Sequence, residues 1–177
     1  PGAAAAKVTP FMRLREGDRF SVPAGALLRI VFPESGRQER WPGPASFQLG
    51  KDAGAILSGN PPEVTRLAVD VRQQIARIPA LVHNAKLGGI QLRGGIGQRP
   101  LSPAAQEEIR AARQTYAGLR TATAADDITP ELYLYAVLGE HAQFADMKTL
   151  TEDMLRRQPS NEEVEAMDKW VGSRLGH

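Results

Sequence analysis

The spacing of apolar residues changes once along this chain, at the segment Gly59-Asn60-Pro61-Pro62. Before it, short runs alternate apolar and polar residues between turns rich in glycine and proline, which is typical of antiparallel strands. After it, apolar residues recur at intervals of three and four, the spacing of one face of an α-helix. The chain therefore predicts an α+β protein in which a β module precedes helices.

Residues 1–59 are predicted to form the β module, an antiparallel sandwich or half-barrel. Its clearest strand is ALLRIVF, whose alternate apolar residues face one way, at residues 26–32. Further strands are predicted at 37–41, 45–49 and 53–59. Short strands separated by Gly and Pro turns are typical of both architectures.

Residues 60–100 are predicted to form a helical connection followed by a glycine-rich linker. Pro61 and Pro62 sit where a helix would begin, and Val64 starts its apolar face. The linker begins near residue 88 and contains one possible strand, at residues 90–93. We place the domain boundary in this linker.

Residues 101–177 predict a C-terminal helical hairpin array. Ser102 caps the first helix, whose apolar stripe includes Tyr116, and a second helix begins at Thr129. A third helix covers about 145–157. A capping box starts the fourth helix, and its two residues are Ser160 and Glu163.

Composition excludes several classes of function. The 177 residues include no cysteine, which removes thiol catalysis, thiolate metal sites and disulfides. The formal net charge is only +2, so bulk electrostatics give no case for a nucleic-acid partner. No apolar run approaches the ~20 residues of a membrane span. The opening PGAAAAKVTP has no Met, and we interpret it as the remnant of a longer polypeptide.

No group of residues in the sequence forms a recognisable catalytic constellation. The three histidines, His83, His141 and His177, lie outside any nucleophilic-serine motif. Asp126 and Asp127 precede a helix, where acidic residues more often cap than bind metal. We therefore predict a protein that is not an enzyme and that holds neither a metal nor a cofactor.

One enzymatic alternative stays open. Glu34 and Glu39 flank a predicted hairpin turn, which would bring the two carboxylates near each other. Paired carboxylates carry out glycoside hydrolysis, so a small glycoside hydrolase is an alternative function.

An arginine and tryptophan patch is the candidate binding surface of the β module. It consists of Arg37, Arg40 and Trp41, with Arg29 on the neighbouring strand. Arg and Trp dominate binding hot spots, although such a patch could equally be a charged sheet edge with the tryptophan in the core. A second alternative function is a carbohydrate- or peptidoglycan-binding module that uses Trp41.

The segment ELYLYAVLGEHAQFADMKTLTEDMLRRQPSN resembles a tetratricopeptide repeat (TPR). Leu134 and Leu138 match the large positions of its first helix, Phe144 the aromatic position at the turn, and Pro159 the terminal proline. It departs from the pattern where small residues are usual, at Tyr135, Met147 and Met154. The resemblance implies that the inner face of the first helix binds peptides, through Leu132, Ala136, Gly139 and Glu140.

The opening strands resemble the FecR-like domains of the bacterial envelope. The resemblance rests on Gly17-Asp18, PAGALLRIVF, Ser35-Gly36 and the GPA at 43–45. It implies a twisted β domain of periplasmic location, although a chain without cysteine is equally compatible with the cytoplasm. Together the two resemblances imply an exported binding or scaffolding module with an envelope protein partner, or with a glycan.

Overall fold

A computed structural model of the protein describes residues 8–87 and 100–176. These residues form two compact units, which we call the β unit (residues 13–76) and the helical unit (the described parts of residues 1–12 and 77–177). Every strand among the described residues lies in the β unit, and five of the six helices lie in the helical unit. The predicted α+β class, with strands first and helices after them, is confirmed.

The β unit contains two antiparallel sheets of three strands each. The strands are β1 (Arg19–Val22), β2 (Leu27–Phe32), β3 (Arg37–Pro42), β4 (Ala45–Leu49), β5 (Gly54–Gly59) and β6 (Glu63–Arg66). One sheet has the order β1-β4-β5 and the other the order β2-β3-β6. Alternation of apolar residues along β2 and β4 directs one face of each sheet inward.

The two sheets of the β unit share one apolar core. Trp41 of β3 stacks on Phe47 of β4, with ring centroids 3.9 Å apart. Both rings are fully buried, and they belong to different sheets. The remaining buried core residues are Val22, Ile30, Phe32, Ala45 and Leu49. The sheets therefore pack face to face, as in a sandwich.

A buried carboxylate links the two sheets. Glu39 of β3 is fully buried and accepts hydrogen bonds from Arg37 Nε at 2.5 Å and Trp41 Nε1 at 3.0 Å. It also accepts from the backbone N–H of Gly54, the first residue of β5, at 3.1 Å. A Cβ at Gly54 would lie 2.6 Å from the Trp41 ring, so only glycine fits there. Because its donors come from β3 and β5, Glu39 holds the two sheets together.

The predicted helix from Pro61 is wrong, because residues 63–66 form strand β6. This strand pairs antiparallel with β3. Just after it, the N–H of Leu67 donates to the carbonyl of Gly36 at 2.8 Å. Helix α1 (Val69–Ile75) begins only after these contacts. Backbone hydrogen bonds to β3 stabilise a strand in this segment, whereas the helical spacing of its apolar residues is weak.

The division of the chain also differs from the predicted one. The sequence suggested limits at 1–59, 60–100 and 101–177, whereas the structure divides the chain between Met12 and Arg13 and again between Ala76 and Arg77. Strand β6 and helix α1 thus belong to the β unit, and the helix after them belongs to the helical unit. The strand predicted at 90–93 lies outside the described residues.

The helical unit is built around one buried helix. Its helices are α2 (Ile78–Lys86), α3 (Pro103–Ala122), α4 (Thr129–Glu140), α5 (Phe144–Arg157) and α6 (Glu162–Leu175). Helix α4 contacts α2, α3 and α5, and ten consecutive residues, 129–138, are buried. A helix that is apolar on all sides is typical of a core position, so α4 is the centre of the unit.

Side chains accept hydrogen bonds from backbone N–H groups at the starts of α3, α4 and α6. Ser102 Oγ accepts from the N–H of Ala105, which confirms the predicted cap of α3. Asp127 accepts from the N–H of Thr129 at 2.8 Å, so it acts at a helix start as expected.

The capping box predicted at Ser160 is wrong by one residue. Asn161 is the N-cap of α6, and its side chain accepts from the N–H groups of Glu163 and Val164, both at 3.2 Å. Asn and Ser are about equally good caps, so the sequence did not discriminate between the two adjacent positions.

Alkaline pH is expected to destabilise the protein through Tyr135 of α4. Burial, and secondarily the charge of Asp168, raises the pKa of this phenol above its usual value of 10.0. The folded state therefore keeps a proton that the unfolded state loses, and the contribution to stability is complete below pH 10 and falls as the pH rises further. In urea unfolding from pH 8 to 11, Tyr135→Phe should lose less stability above pH 10 than the wild type. Identical slopes in the two proteins would contradict this assignment.

Candidate functional site

The structure separates the arginine and tryptophan patch predicted on the β module. Arg29 and Arg40 are direct cross-strand partners and share one face of their sheet. Arg37 and Trp41 lie on the opposite face, because successive side chains of a strand alternate. Arg40 pairs with Glu63 at 2.9 Å, and Arg37 pairs with the buried Glu39. These four residues do not form one binding surface.

Two functional alternatives depend on side chains that are now seen to be buried. Trp41 has no exposed area, so its ring offers no face to a sugar. Glu39 is also fully buried, and protein donors occupy both its oxygens. Glu34 is exposed in the turn between β2 and β3. The geometry therefore favours neither a glycan site at Trp41 nor a catalytic pair of Glu34 and Glu39.

The four positions carried over from the TPR resemblance lie in different environments. Leu132 is 5% exposed and Ala136 is 2% exposed, so both are core residues of α4. Gly139 is half-buried, and Glu140 is exposed at the end of α4, where it forms an ion pair with Arg77. Only the last turn of α4 reaches the surface.

A mixed cluster of possible metal ligands lies beside that last turn. The ligand atoms of Glu108, Glu140 and His141 lie within 4.8 Å of one another. His141 Nε2 is 3.1 Å from a carboxylate oxygen of Glu108, and Arg77 pairs with Glu140. Each group already has a partner within the protein, so we assign no ligand to this cluster. His83 is exposed on α2, and His177 lies outside the described residues.

A groove of about 260 Å³ opens between α3 and α5 above the central helix α4. It is lined by Arg113 and Tyr116 of α3, Leu134 and Leu138 of α4, and Asp146, Thr149, Leu150 and Asp153 of α5. The three leucines are buried and form an apolar floor. The polar residues form the two walls, so the groove combines an apolar base with hydrogen-bonding sides.

Two ion pairs lie along the walls of the groove. Arg113 Nη2 donates to Asp146 at 2.6 Å and joins α3 to α5 at one end. Asp153 pairs with Arg156, one turn further along its own helix. All four side chains are partly exposed, and such pairs contribute little to stability. These pairs can therefore exchange partners at small cost when another charged group arrives.

A buried charge cluster supports the groove from beneath. Glu131 of α4 is fully buried, and Arg120 Nη1 lies 3.1 Å from both of its oxygens. Arg157 and the hydroxyl of Tyr116 each approach the same carboxylate at 3.4 Å. Burial, followed by the charges of Glu131 and Asp153, raises the pKa of Tyr116, so the phenol stays protonated. The cluster fixes Tyr116 in the wall as a neutral hydroxyl.

Sequence reasoning named three of these lining residues only as packing positions: Tyr116, Leu134 and Leu138. It missed the polar residues of α5, although Asp146, Thr149 and Asp153 follow the spacing i, i+3 and i+7 of one helical face. This polar stripe was the signal in the sequence from which the α5 wall of the groove could have been predicted. Which surface it faces depends on where α3 packs.

Comparisons with known proteins supply no further constraint. Across the described ranges, no helix has the length and apolarity needed to cross a membrane. No family model matches the chain, and neither a curated protein nor a solved structure shows significant similarity to it. The FecR-like and TPR-like resemblances, and the periplasmic location that they imply, stay predictions.

Proposed function

We propose that this chain is a non-enzymatic binding module and that its α3–α4–α5 groove receives side chains of a partner protein. The observation that carries the proposal is the groove itself, in which three buried leucines lie below polar walls. Its volume of about 260 Å³ is below the roughly 300–1,000 Å³ typical of pockets for drug-sized ligands and cofactors. A space of this size suits individual side chains.

The groove is not arranged for acid–base catalysis. No histidine is among the described residues that line it, and both carboxylates, Asp146 and Asp153, are engaged by an arginine. A general acid or base needs a proton-transfer partner within hydrogen-bond reach of a reacting group. These contacts favour binding over chemistry. The resemblance of the strands to FecR-like domains supports a partner in the bacterial envelope.

Site-specific photo-cross-linking in the native host tests this proposal. A benzoylphenylalanine at Thr149, which is exposed in the groove wall, should give a discrete adduct with one protein. The matched control is the same substitution at Thr121, which is exposed on α3 and does not line the groove. Mass spectrometry of separated envelope and cytosolic fractions then identifies the partner.

Adducts of equal yield at both positions, or none at Thr149, would contradict a role for the groove. An adduct specific to Thr149 but found only in the cytosolic fraction would keep the binding function. The same result would contradict the proposal that the partner lies in the bacterial envelope.

A further inference from the structure

We propose that the side chain received by the groove is basic: a lysine or arginine of the partner protein. Its aliphatic stem lies on the leucine floor, and its cationic head is held at Asp153. This inference rests on the proposed function and names the chemistry of the occupant.

Each hydroxyl group of the groove has an acceptor within the protein, at a distance typical of a weak hydrogen bond. Thr149 Oγ1 donates to the carbonyl of Ala145 at 3.3 Å. The hydroxyl of Tyr116 donates to Glu131 at 3.4 Å. A hydroxyl has one proton and two acceptor lone pairs, so both groups offer acceptors to a guest.

Among the lining residues that the structure describes, the one cation is Arg113, which lies at the other end of the groove. Arg113 is bound to Asp146 at 2.6 Å. Tyr116 follows one turn later on α3, and Asp153 follows two turns later on α5. The end formed by Tyr116 and Asp153 therefore presents acceptors and one carboxylate. This end therefore favours a guest that brings hydrogen-bond donors.

The carboxylate of Asp153 can change partners easily. Its side chain is 30% exposed, whereas that of its partner Arg156 is 67% exposed. An exposed pair at i, i+3 contributes only a few tenths of a kcal/mol, so a cation placed over the leucine floor can displace Arg156. The buried charge of Glu131 is already balanced by Arg120 and Arg157.

The leucine floor favours hydrogen-bond donors that carry a long aliphatic stem. Leu134, Leu138 and Leu150 line the base of the groove, and the small part of each that is exposed, at most 6%, is apolar surface below the acceptors. Lysine and arginine bury their methylene stems on such surface while the charged head contacts polar groups. The ring of Tyr116 adds a face on which a cation can lie. A glutamate guest would instead meet Asp153 with a like charge.

An NMR titration of the whole chain tests the inference. The probes are four capped heptapeptides of glycine and serine whose central residue is lysine, arginine, norleucine or glutamate. The lysine and arginine peptides should shift the amide signals of Tyr116, Thr149 and Asp153. Their Kd should be about tenfold lower than that of the norleucine peptide, as expected for a hydrogen bond to a charged group. The glutamate peptide should leave these signals unchanged.

Two variants locate the effect at one carboxylate. Asp153→Asn should reduce the affinity for the basic peptides to that of the norleucine peptide. Arg156→Ala should raise it, because this arginine competes with the guest. The control Glu152→Gln changes an exposed carboxylate of the same helix outside the groove and should have no effect. The NMR spectra show directly whether each variant is folded.

The outcomes separate this inference from the proposed function. If norleucine, lysine and arginine peptides bind the groove equally, the binding function stands and the preference for a basic side chain is wrong. The preference is also wrong if Asp153→Asn binds the basic peptides as tightly as the wild type. If no peptide shifts the groove signals and Thr149 gives no cross-link, both proposals are wrong.

Discussion

Glu131→Gln is expected to lower the free energy of unfolding by about 3 kcal/mol. The substitution leaves Arg120 and Arg157 beside a site that no longer carries a negative charge. Arg120 also donates to the backbone carbonyls of Thr123 and Asp127, so the α3–α4 connection depends on its position. Urea denaturation followed by circular dichroism and by intrinsic tryptophan fluorescence measures the loss.

The matched control for this prediction is Glu152→Gln. Glu152 is exposed on α5, and its substitution should change stability by no more than about 0.5 kcal/mol. A loss below about 1 kcal/mol for Glu131→Gln would mean that the two arginines find other partners, and the cluster would not be the support of the groove wall.

Trp41→Ala is expected to destabilise the β unit by about 3–5 kcal/mol. The substitution removes a fully buried ring that stacks on Phe47, and it also deletes a donor to the buried carboxylate of Glu39. Hydrogen exchange of the amides of β3 and β4 should show the loss of protection. Leu57→Ala, at a position that is 54% exposed, is the control and should leave protection unchanged.

This experiment also decides the glycan-binding alternative. If Trp41→Ala kept its protection from exchange but lost binding to peptidoglycan, the tryptophan would have to be accessible, which contradicts its burial in the core. Unfolding of the β unit instead assigns Trp41 to packing alone.

Local signals in the sequence were sufficient for most of the elements. Gly and Pro turns separate strands whose alternation is visible at β2 and β4, and Ser102 and Thr129 mark the starts of α3 and α4. Strand β6 had no comparable signal. Its four residues form a strand because β3 offers an open edge to them, and that pairing depends on contacts distant in sequence.

The candidate site was less predictable than the fold. Arg37 and Trp41 looked like a surface anchor because both residue types favour interfaces, yet the buried Glu39 draws both inward. Sequence reasoning assigned no role to Asp146 or Asp153. They became walls of a groove only because α3 packs beside α5 across α4.

The sequence by itself determined that strands precede helices, the starts of α3 and α4, and the apolar faces, because each depends on residues close together in the chain. Tertiary structure alone decided that Trp41 and Glu39 are core residues, that α4 is the central helix, and that α3 and α5 enclose a groove. The physical reason is that burial and partner choice arise from packing between distant segments. Local periodicity states which face of an element is apolar, but not what covers it.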